Sequence, residues 1–270
     1  MNIGGELDRS PFFGVRVDRI STRDALDVVT DYLTAGADQP ARKVYFTNVH
    51  TICLGQRMPD FLRAVNGGDL VLPDGSGLIF AGQVLSAPII ENINGTDFTP
   101  VVLRKAQEKG WGVYLLGGTP AVVKATHARL RDSYPGLRIV GYRSGYFSED
   151  QEKNIIDHIN AVKTHILLVA LGSPLQEMFI DRWAAQLNAR ACFAVGGLFD
   201  FLSGTVKRAP HWMRKLGIEW LFRLFQDPGT KWKRTFIEMP TFIGMVLAAR
   251  IFHRNRFESR RWIEANSGSR

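Results

Sequence analysis

Six short runs of apolar or β-branched residues, separated by stretches with helical periodicity, restrict the fold of this chain more than any other feature. Such runs are typical of strands that are buried on both faces, and such strands occur in parallel sheets. Helices between the runs also favour parallel pairing, because each helix returns the chain to the edge where the next strand begins. The predicted strands are residues 44–47, 69–72, 112–116, 137–142, 165–171 and 191–195.

The helical patterns complete this arrangement. They cover residues 22–35, 60–66, 77–85, 96–109, 121–133, 150–161 and 175–187. No strand pattern follows Val195, and further helical stretches run over residues 211–225 and roughly 231–263. We therefore expect an α/β fold with a Rossmann-like, mainly parallel sheet covered by helices in residues 1–204. Residues 205–270 are expected to form a C-terminal helical appendage.

The appendage carries the excess positive charge of the chain. From Lys207 onward there are 14 Lys and Arg against 5 Asp and Glu, which accounts for the whole net charge of +8. Aromatic side chains such as Trp212, Trp220 and Phe225 are interleaved with the basic ones. This pattern indicates a polyanionic partner. The candidates are a nucleic acid, an anionic membrane surface and a phosphorylated substrate.

Several classes of protein are excluded by composition. The first ten residues lack the apolar region of a signal peptide, and no segment reaches the length of a transmembrane helix. The two cysteines, Cys53 and Cys192, give neither a disulfide framework nor metal-ligand spacing, so we expect buried thiols in a reducing compartment. No metal site and no cofactor are predicted.

Asp74 is the first candidate for chemistry. It directly follows the apolar run Leu70–Leu72 and Pro73, and Gly75, Ser76 and Gly77 come after it. In open α/β sheets, ligands collect at the carboxyl ends of the strands, where a carboxylate can accept a proton from a substrate hydroxyl. The alternative is a turn or helix-capping aspartate, and this segment by itself favours the alternative.

Asn48 and His50 follow the strand that ends at Thr47. If that strand lies beside the one before Asp74, these polar side chains share one rim of the sheet. His50 could then orient a substrate or relay a proton, since its unperturbed pKa is near 6.5. A histidine at the start of a helix is more often a cap or a surface residue.

Three other predicted strands end in glycine turns, at Gly117-Gly118, at Gly172-Ser173-Pro174 and at Gly196-Gly197. Such turns let backbone N–H groups approach an anionic ligand, and three of them in one sheet favour a crevice for a phosphate or a nucleotide. None has the G-x-G-x-x-G spacing of a dinucleotide site. Simple capping is the alternative, by Thr119 before Pro120 and by a capping box between Ser173 and Gln176.

Two further acidic positions stand near expected strand ends. Thr96 and Asp97 open a predicted helix, where they either cap it or line the mouth of a substrate site. Asp200, which lies between two phenylalanines, either binds loop amides or holds a sugar or ribose hydroxyl.

Together, these segments resemble the WecG/TagA/CpsF family of bacterial glycosyltransferases, and the matching stretches occur in the order of the family. They are Asn48-Val49-His50, Leu70-Val71-Leu72-Pro73-Asp74-Gly75, Gly95-Thr96-Asp97, Leu115-Leu116-Gly117-Gly118, Gly145-Tyr146-Phe147, Leu171-Gly172-Ser173-Pro174-Leu175-Gln176-Glu177, Gly196-Gly197-Leu198-Phe199-Asp200-Phe201, Val206-Lys207-Arg208-Ala209-Pro210 and Glu219-Trp220-Leu221-Phe222-Arg223.

The resemblance implies an inverting, metal-independent transfer of a hexosyl or N-acetylhexosaminyl group from a UDP-sugar to a polyprenyl-pyrophosphate-linked acceptor, in the biosynthesis of exopolysaccharide, capsule or teichoic acid. It implies a peripheral protein at the cytoplasmic face of the bacterial inner membrane, with the appendage on the membrane and no nucleic-acid partner. Whether the chain forms a homo-oligomer is left open.

The resemblance and the motifs described above together suggest roles for individual residues. Asp74 is expected to be the catalytic base, with Asn48 and His50 beside it. Substrate or UDP binding is expected at Thr47, Thr96, Asp97, Gly117, Gly118, Tyr146, Gly172, Pro174, Gln176, Glu177, Gly196, Gly197, Asp200, Arg208, Arg214 and Arg223.

Two other classes of function remain as alternatives at this point. One is a nucleotide-cofactor oxidoreductase on a related sheet, against which the missing dinucleotide fingerprint counts. The other is a basic module that binds nucleic acid.

Overall fold

A computed structural model describes residues 8–36, 39–210, 212–213 and 218–251, without the side chains of Arg223, Thr230 and Lys231. Its centre is a six-stranded parallel sheet with the strand order β4-β3-β8-β7-β5-β6. The strands are β3 (Arg42–Thr47), β4 (Leu70–Pro73), β5 (Val113–Gly117), β6 (Ile139–Arg143), β7 (Ile166–Ala170) and β8 (Ala191–Ala194). All six correspond to predicted strands, so the predicted α/β fold is confirmed.

Helices cover both faces of the sheet. The first face carries α2 (Val49–Gly55), α3 (Pro59–Asn66), α4 (Ser76–Val84), α7 (Glu152–Ala161) and α8 (Leu175–Trp183). The second face carries α1 (Thr22–Thr34), α5 (Gly95–Lys109), α6 (Pro120–Ser133) and α9 (Leu198–Leu202). Side chains of each strand alternate between the two cores: Tyr45 and Val71 lie in the first, and Phe46 and Leu72 lie in the second.

An N-terminal hairpin was not predicted from the sequence. It consists of β1 (Arg9–Phe12) and β2 (Val15–Asp18), which pair antiparallel. Asp18 is fully buried, where its carboxylate accepts hydrogen bonds from Arg9 Nε at 2.8 Å and from the Val71 amide at 2.7 Å. A buried carboxylate is tolerated only when it is paired and hydrogen-bonded, so these bonds fix the hairpin against β4.

The two cysteines are buried and unbonded to one another, as expected. Burial raises the pKa of the Cys53 thiol to about 11 and that of Cys192 to about 12. Both are therefore neutral thiols at physiological pH, which makes them poor nucleophiles.

From Glu219 to Ile251 the chain is helical except at Asp227. It forms α10 (Glu219–Gln226), α11 (Pro228–Lys233), a π-helical turn (Arg234–Glu238) and α12 (Met239–Ile251). Phe242 and Val246 of α12 are fully buried in the first core, where Phe242 makes an edge contact with the ring of Phe13. Among the described helices, none is long and apolar enough to cross a membrane.

Replacing Phe242 by alanine tests whether α12 is docked on the core. We expect Phe242→Ala to lower the free energy of unfolding by about 3–5 kcal/mol, because it leaves a cavity in a packed interior. The adjacent Ile243 is 38% exposed, and Ile243→Ala should cost less than about 1 kcal/mol. Urea denaturation of both variants measures the difference, and equal losses would contradict the docking.

Candidate active site

Asp74 and Asn48 lie side by side because β3 and β4 pair in parallel. The register aligns Thr47 with Pro73, and the Asp74 amide donates a hydrogen bond to the Thr47 carbonyl at 2.7 Å. The next residue, Gly75, has φ +104°, a conformation that favours glycine, and its amide donates to Asn92 Oδ1 at 2.7 Å. The sheet therefore brings the predicted base and Asn48 to one rim.

Asn48 is also the N-cap of α2. Its side-chain oxygen accepts a hydrogen bond from the Thr51 amide, and Thr51 Oγ1 accepts one from the Asn48 amide. His50 follows in the first turn of the helix. The capping box fixes where α2 begins, so it also fixes the direction in which the first turn leaves the sheet. Thr47 itself is fully buried and does not line the site.

A cavity of about 220 Å³ lies over this rim, between the core and the appendage. From the core it is lined by Asn48, Val49, His50, Asp74, Gly75, Ser76, Gly77, Asn92 and Asn94, and from the appendage by Glu219, Trp220, Arg234, Thr235, Glu238 and Met239. Amides, carboxylates and a tryptophan around one cleft suit a polar ligand with an apolar face. A sugar ring has these properties.

The π-helical turn forms one wall of the cavity, with Arg234, Thr235 and Glu238. Single π-helical turns within α-helices are frequent at functional sites. Glu238 is a polar partner of His50, whose Nδ1 lies 2.8 and 3.0 Å from the two carboxylate oxygens. Neither the π-turn nor Glu238 was identified from the sequence, which carries no signal for a pair 188 residues apart.

The glycine turns lie where the topology of the sheet predicts a second ligand crevice. The helix after β7 packs on the first face of the sheet, whereas those after its neighbours β5 and β8 pack on the second face. Ligands bind where neighbouring strands connect to opposite faces. Gly117 has φ +140°, and a side chain there would collide with the Ala170 carbonyl. Glycine at this position therefore lets the ends of β5 and β7 lie close together. Tyr146, at the adjacent turn, is 77% exposed.

Gln176 and Glu177 lie beneath this crevice rather than on its surface, with 4% and 2% exposure. Gln176 Oε1 accepts a hydrogen bond from the Gly196 amide at 2.9 Å, and Gln176 Nε2 donates to Glu177 Oε1 at 2.9 Å. The capping box that was the alternative for Ser173 and Gln176 does not form: α8 begins after Pro174 without a side-chain capping bond, and Gln176 Nε2 lies 3.5 Å from Ser173 Oγ instead. Together the two residues tie the turn after β7 to the turn after β8.

The Glu177 carboxyl has an unusual protonation equilibrium. Burial raises its pKa, although hydrogen bonds from Gln176 and from Ser173 Oγ oppose the shift. Its Oε1 accepts both bonds, and Oε2 has no described partner. Burial thus favours the neutral carboxyl over the carboxylate at this position.

The acidic start of α5 contacts the segment that leads into the appendage. Asn94 rather than Thr96 or Asp97 caps this helix, by accepting a hydrogen bond from the Asp97 amide. Asp97 instead forms an ion pair with Arg208, at 2.6 Å between Oδ1 and Nη1. Since Asn94 lines the cavity and donates to Asp97 at 2.8 Å, this ion pair lies just behind the cavity wall.

The remaining candidates fall into two groups. Gly118, Gly172, Pro174, Gly196 and Gly197 lie at or beside the crevice turns, and Asp200 lies in the short α9, with its carbonyl accepting from the Val206 amide. Arg214 and the side chain of Arg223 lie outside the described residues. Within the described ranges, no three His, Cys, Asp or Glu side chains lie close enough to hold a metal ion.

The chain is similar to known proteins over both the core and the described part of the appendage. The model of the glycosyl transferase WecG/TagA/CpsF family matches residues 10–256. A Bacillus spizizenii protein is 32% identical over 189 residues, which are 70% of this chain and 72% of its own length. A Bacillus subtilis protein is 31% identical over the same shares. Both are named N-acetylglucosaminyldiphosphoundecaprenol N-acetyl-beta-D-mannosaminyltransferase.

Replacing Glu177 by glutamine tests its protonation. A raised folded-state pKa means that the folded protein holds a proton that the unfolded chain has lost, so stability decreases as pH rises above about 4.5. Glutamine mimics the protonated form and has no such cost. We therefore expect Glu177→Gln to gain stability relative to the wild type as pH rises from about 4.5, measured by denaturation at several pH values. Asp157→Asn, at an exposed position, is the matched control; a pH-independent difference for Glu177→Gln would refute the prediction.

Proposed function

Since the chain belongs to the WecG/TagA/CpsF family and is therefore a glycosyltransferase, we propose that it moves a hexosyl or N-acetylhexosaminyl group from a UDP-sugar to a polyprenyl-pyrophosphate-linked saccharide. Family membership favours glycosyl transfer over the two other classes that the sequence had left open, a nucleotide-cofactor oxidoreductase and a basic nucleic-acid-binding module. The acceptor follows from the relatives, whose names specify a diphosphoundecaprenol carrying N-acetylglucosamine.

The observation that carries the proposal is the position of Asp74 in the cavity between the core and the appendage. In glycosyl transfer without a metal, a carboxylate must take the proton of the acceptor hydroxyl as that oxygen attacks the anomeric carbon. Asp74 is the carboxylate that the sheet presents at this rim. Asn48, Asn92 and Asn94 surround it with amides that can bind sugar hydroxyls, and Trp220 offers a ring for the apolar face of a sugar.

The proposed reaction is a single displacement that inverts the anomeric carbon. The acceptor oxygen forms the new C–O bond while its proton passes to Asp74. The bond between the anomeric carbon and the nucleotide breaks, and its electron pair leaves on the β-phosphate oxygen of UDP. The transition state resembles an oxocarbenium ion, as in glycoside hydrolysis.

The crevice at the glycine turns is the proposed site of the nucleotide. Gly172 follows β7, three strands away from β4 in the sheet order. At about 4.8 Å between neighbouring strands, the two strand ends are about 14 Å apart. A UDP-sugar can bridge this distance, with its uridine over the turns and its sugar near Asp74. Turn amides, together with Arg208 and Arg234, would then stabilise the charge that develops on the diphosphate.

The appendage is proposed as a separate membrane-associating unit, residues 205–270, and the α/β core as residues 1–204. Its described helices expose large apolar side chains, among them Phe225 at 77%, Phe236 at 66% and Trp212 at 59%. Exposed aromatic residues amid excess positive charge suit the headgroup region of an anionic membrane. Peripheral binding at the cytoplasmic face of the inner membrane would bring the cavity to a lipid-linked acceptor.

Asp74→Asn tests the assignment of the base. We expect turnover to fall by about 10²–10⁴-fold, because the amide cannot accept the proton, while UDP binding stays within a few-fold of the wild type. Activity is measured as UDP released from a panel of UDP-sugars with a polyprenyl-pyrophosphate-linked N-acetylglucosamine acceptor. Asp60→Asn, at an exposed position, is the control. Near-normal turnover of Asp74→Asn would remove Asp74 from the mechanism.

The membrane proposal is tested at exposed positions, which leaves the buried contacts of α12 intact. The double variant Phe225→Ser/Phe236→Ser should bind vesicles containing phosphatidylglycerol at least about 10-fold more weakly, because burial of each ring contributes roughly 1.5–3 kcal/mol. Ile90 belongs to the α/β domain and is 61% exposed, so Ile90→Ser should leave vesicle binding unchanged. Co-sedimentation measures both, and equal vesicle binding by all three proteins would contradict the proposal.

A further inference from the structure

His50 and Glu238 form a polar contact between the core and the appendage at the cavity. The side chain of His50 is 17% exposed and that of Glu238 is 11% exposed. Nδ1 of the imidazole lies between the two carboxylate oxygens, at 2.8 and 3.0 Å. Both residues line the cavity that contains Asp74.

The carboxylate determines which nitrogen of the imidazole carries the proton. An ionised carboxylate only accepts hydrogen bonds, so the proton of the ring must reside on Nδ1. In the neutral ring, Nε2 is then the nitrogen that carries the lone pair, and it can accept a hydrogen bond from a hydroxyl. Without the carboxylate, both tautomers and other ring rotations become accessible.

Glu238 is itself held in place by several contacts. Its carbonyl lies 3.8 Å from Cys53 Sγ, and Cys53 is one turn after His50 on α2. Beyond Glu238, the fully buried Phe242 and Val246 anchor α12 in the core. Helix α2 therefore contacts both the side chain and the backbone of Glu238, and the anchoring of α12 does not need the contact between His50 and Glu238.

From this geometry we infer that Glu238 is a positioning residue: it orients the imidazole of His50 so that Nε2 can accept a hydrogen bond from a sugar hydroxyl in the cavity. The inference rests on the proposed function and adds a residue from the appendage to the site. The substrate-binding wall is then complete only when the appendage is docked. A pair that served docking alone would have no reason to border the same cavity as Asp74.

Turnover of the full-length protein tests this role with three variants. Glu238→Gln should lower kcat/KM for the lipid-linked acceptor by about 10²-fold, the scale expected when a substrate-positioning group is displaced by about 1 Å. The KM for the UDP-sugar should stay unchanged. His50→Gln should show a similar loss, and the double variant should be no worse than His50→Gln, because Glu238 acts through the ring.

The control variant is Asp227→Asn, which changes an appendage carboxylate that does not line the cavity and should retain wild-type turnover. Three outcomes would overturn the inference: unchanged turnover in Glu238→Gln, losses in the double variant equal to the product of the single losses, or a loss in Glu238→Gln accompanied by a lower Tm and weaker vesicle binding. The last outcome would mean that the pair only docks the appendage.

The tautomer of His50 gives a readout that does not depend on activity. Long-range ¹H–¹⁵N NMR spectra of the labelled protein, assigned with His50→Gln, should show the ring proton on Nδ1 in the wild type and a mixture of tautomers in Glu238→Gln. A proton on Nε2 in the wild type would overturn the inference. Lack of wild-type turnover with every donor would instead overturn the proposed function, so the two failures are distinguishable.

Discussion

The register between β3 and β4 is the constraint on which the candidate site depends. One backbone hydrogen bond, from the Asp74 amide to the Thr47 carbonyl, places the carboxylate beside the start of α2. A slip of one residue would exchange the faces of the sheet on which Tyr45 and Phe46 pack. Since both faces of the sheet are buried, the cores enforce this register, and the packing of apolar side chains thereby determines where the polar groups lie.

Closure of the cavity depends on a different kind of packing. Helix α12 inserts Phe242 and Val246 into the first core, and the π-turn before it brings Arg234 and Glu238 to the rim. Without these contacts, the rim formed by Asp74 and Asn48 would be an open surface. The site is therefore composite, with the proposed base on the sheet, one wall on the appendage, and the proposed nucleotide crevice further along the same sheet edge.

The sequence was sufficient to predict the six strands and most of the helices, because apolar runs are local signals. The shared rim of Asn48, His50 and Asp74 was expected only if their two strands are neighbours, and the pairing of β3 with β4 meets that condition. The N-terminal hairpin was missed because its strands are short and carry polar residues such as Asp18, which is satisfied by Arg9 and by β4. The burial of Gln176 and its bond to Gly196 were missed because the local capping pattern gave a competing explanation.

Polar pairs between residues far apart in the chain could not be predicted from local sequence patterns. Glu238 faces His50 only because α12 docks where it does, and helical periodicity over the appendage gives no information about which core helix it meets. The ion pair between Asp97 and Arg208 is of the same kind. Both residues were singled out for substrate binding, but their mutual contact requires knowledge of the path that the chain takes after α9.

The anomeric configuration of the product tests the central claim most directly. An α-linked UDP-sugar, a polyprenyl-pyrophosphate-linked acceptor and the full-length protein are sufficient, and the ¹H NMR coupling at the new anomeric centre or its heteronuclear equivalent gives the answer. Attack by an acceptor hydroxyl that Asp74 deprotonates is a single displacement, so the account predicts a β-linked product. An α-linked product would require a second displacement or a different mechanism, and it would contradict the role assigned to Asp74.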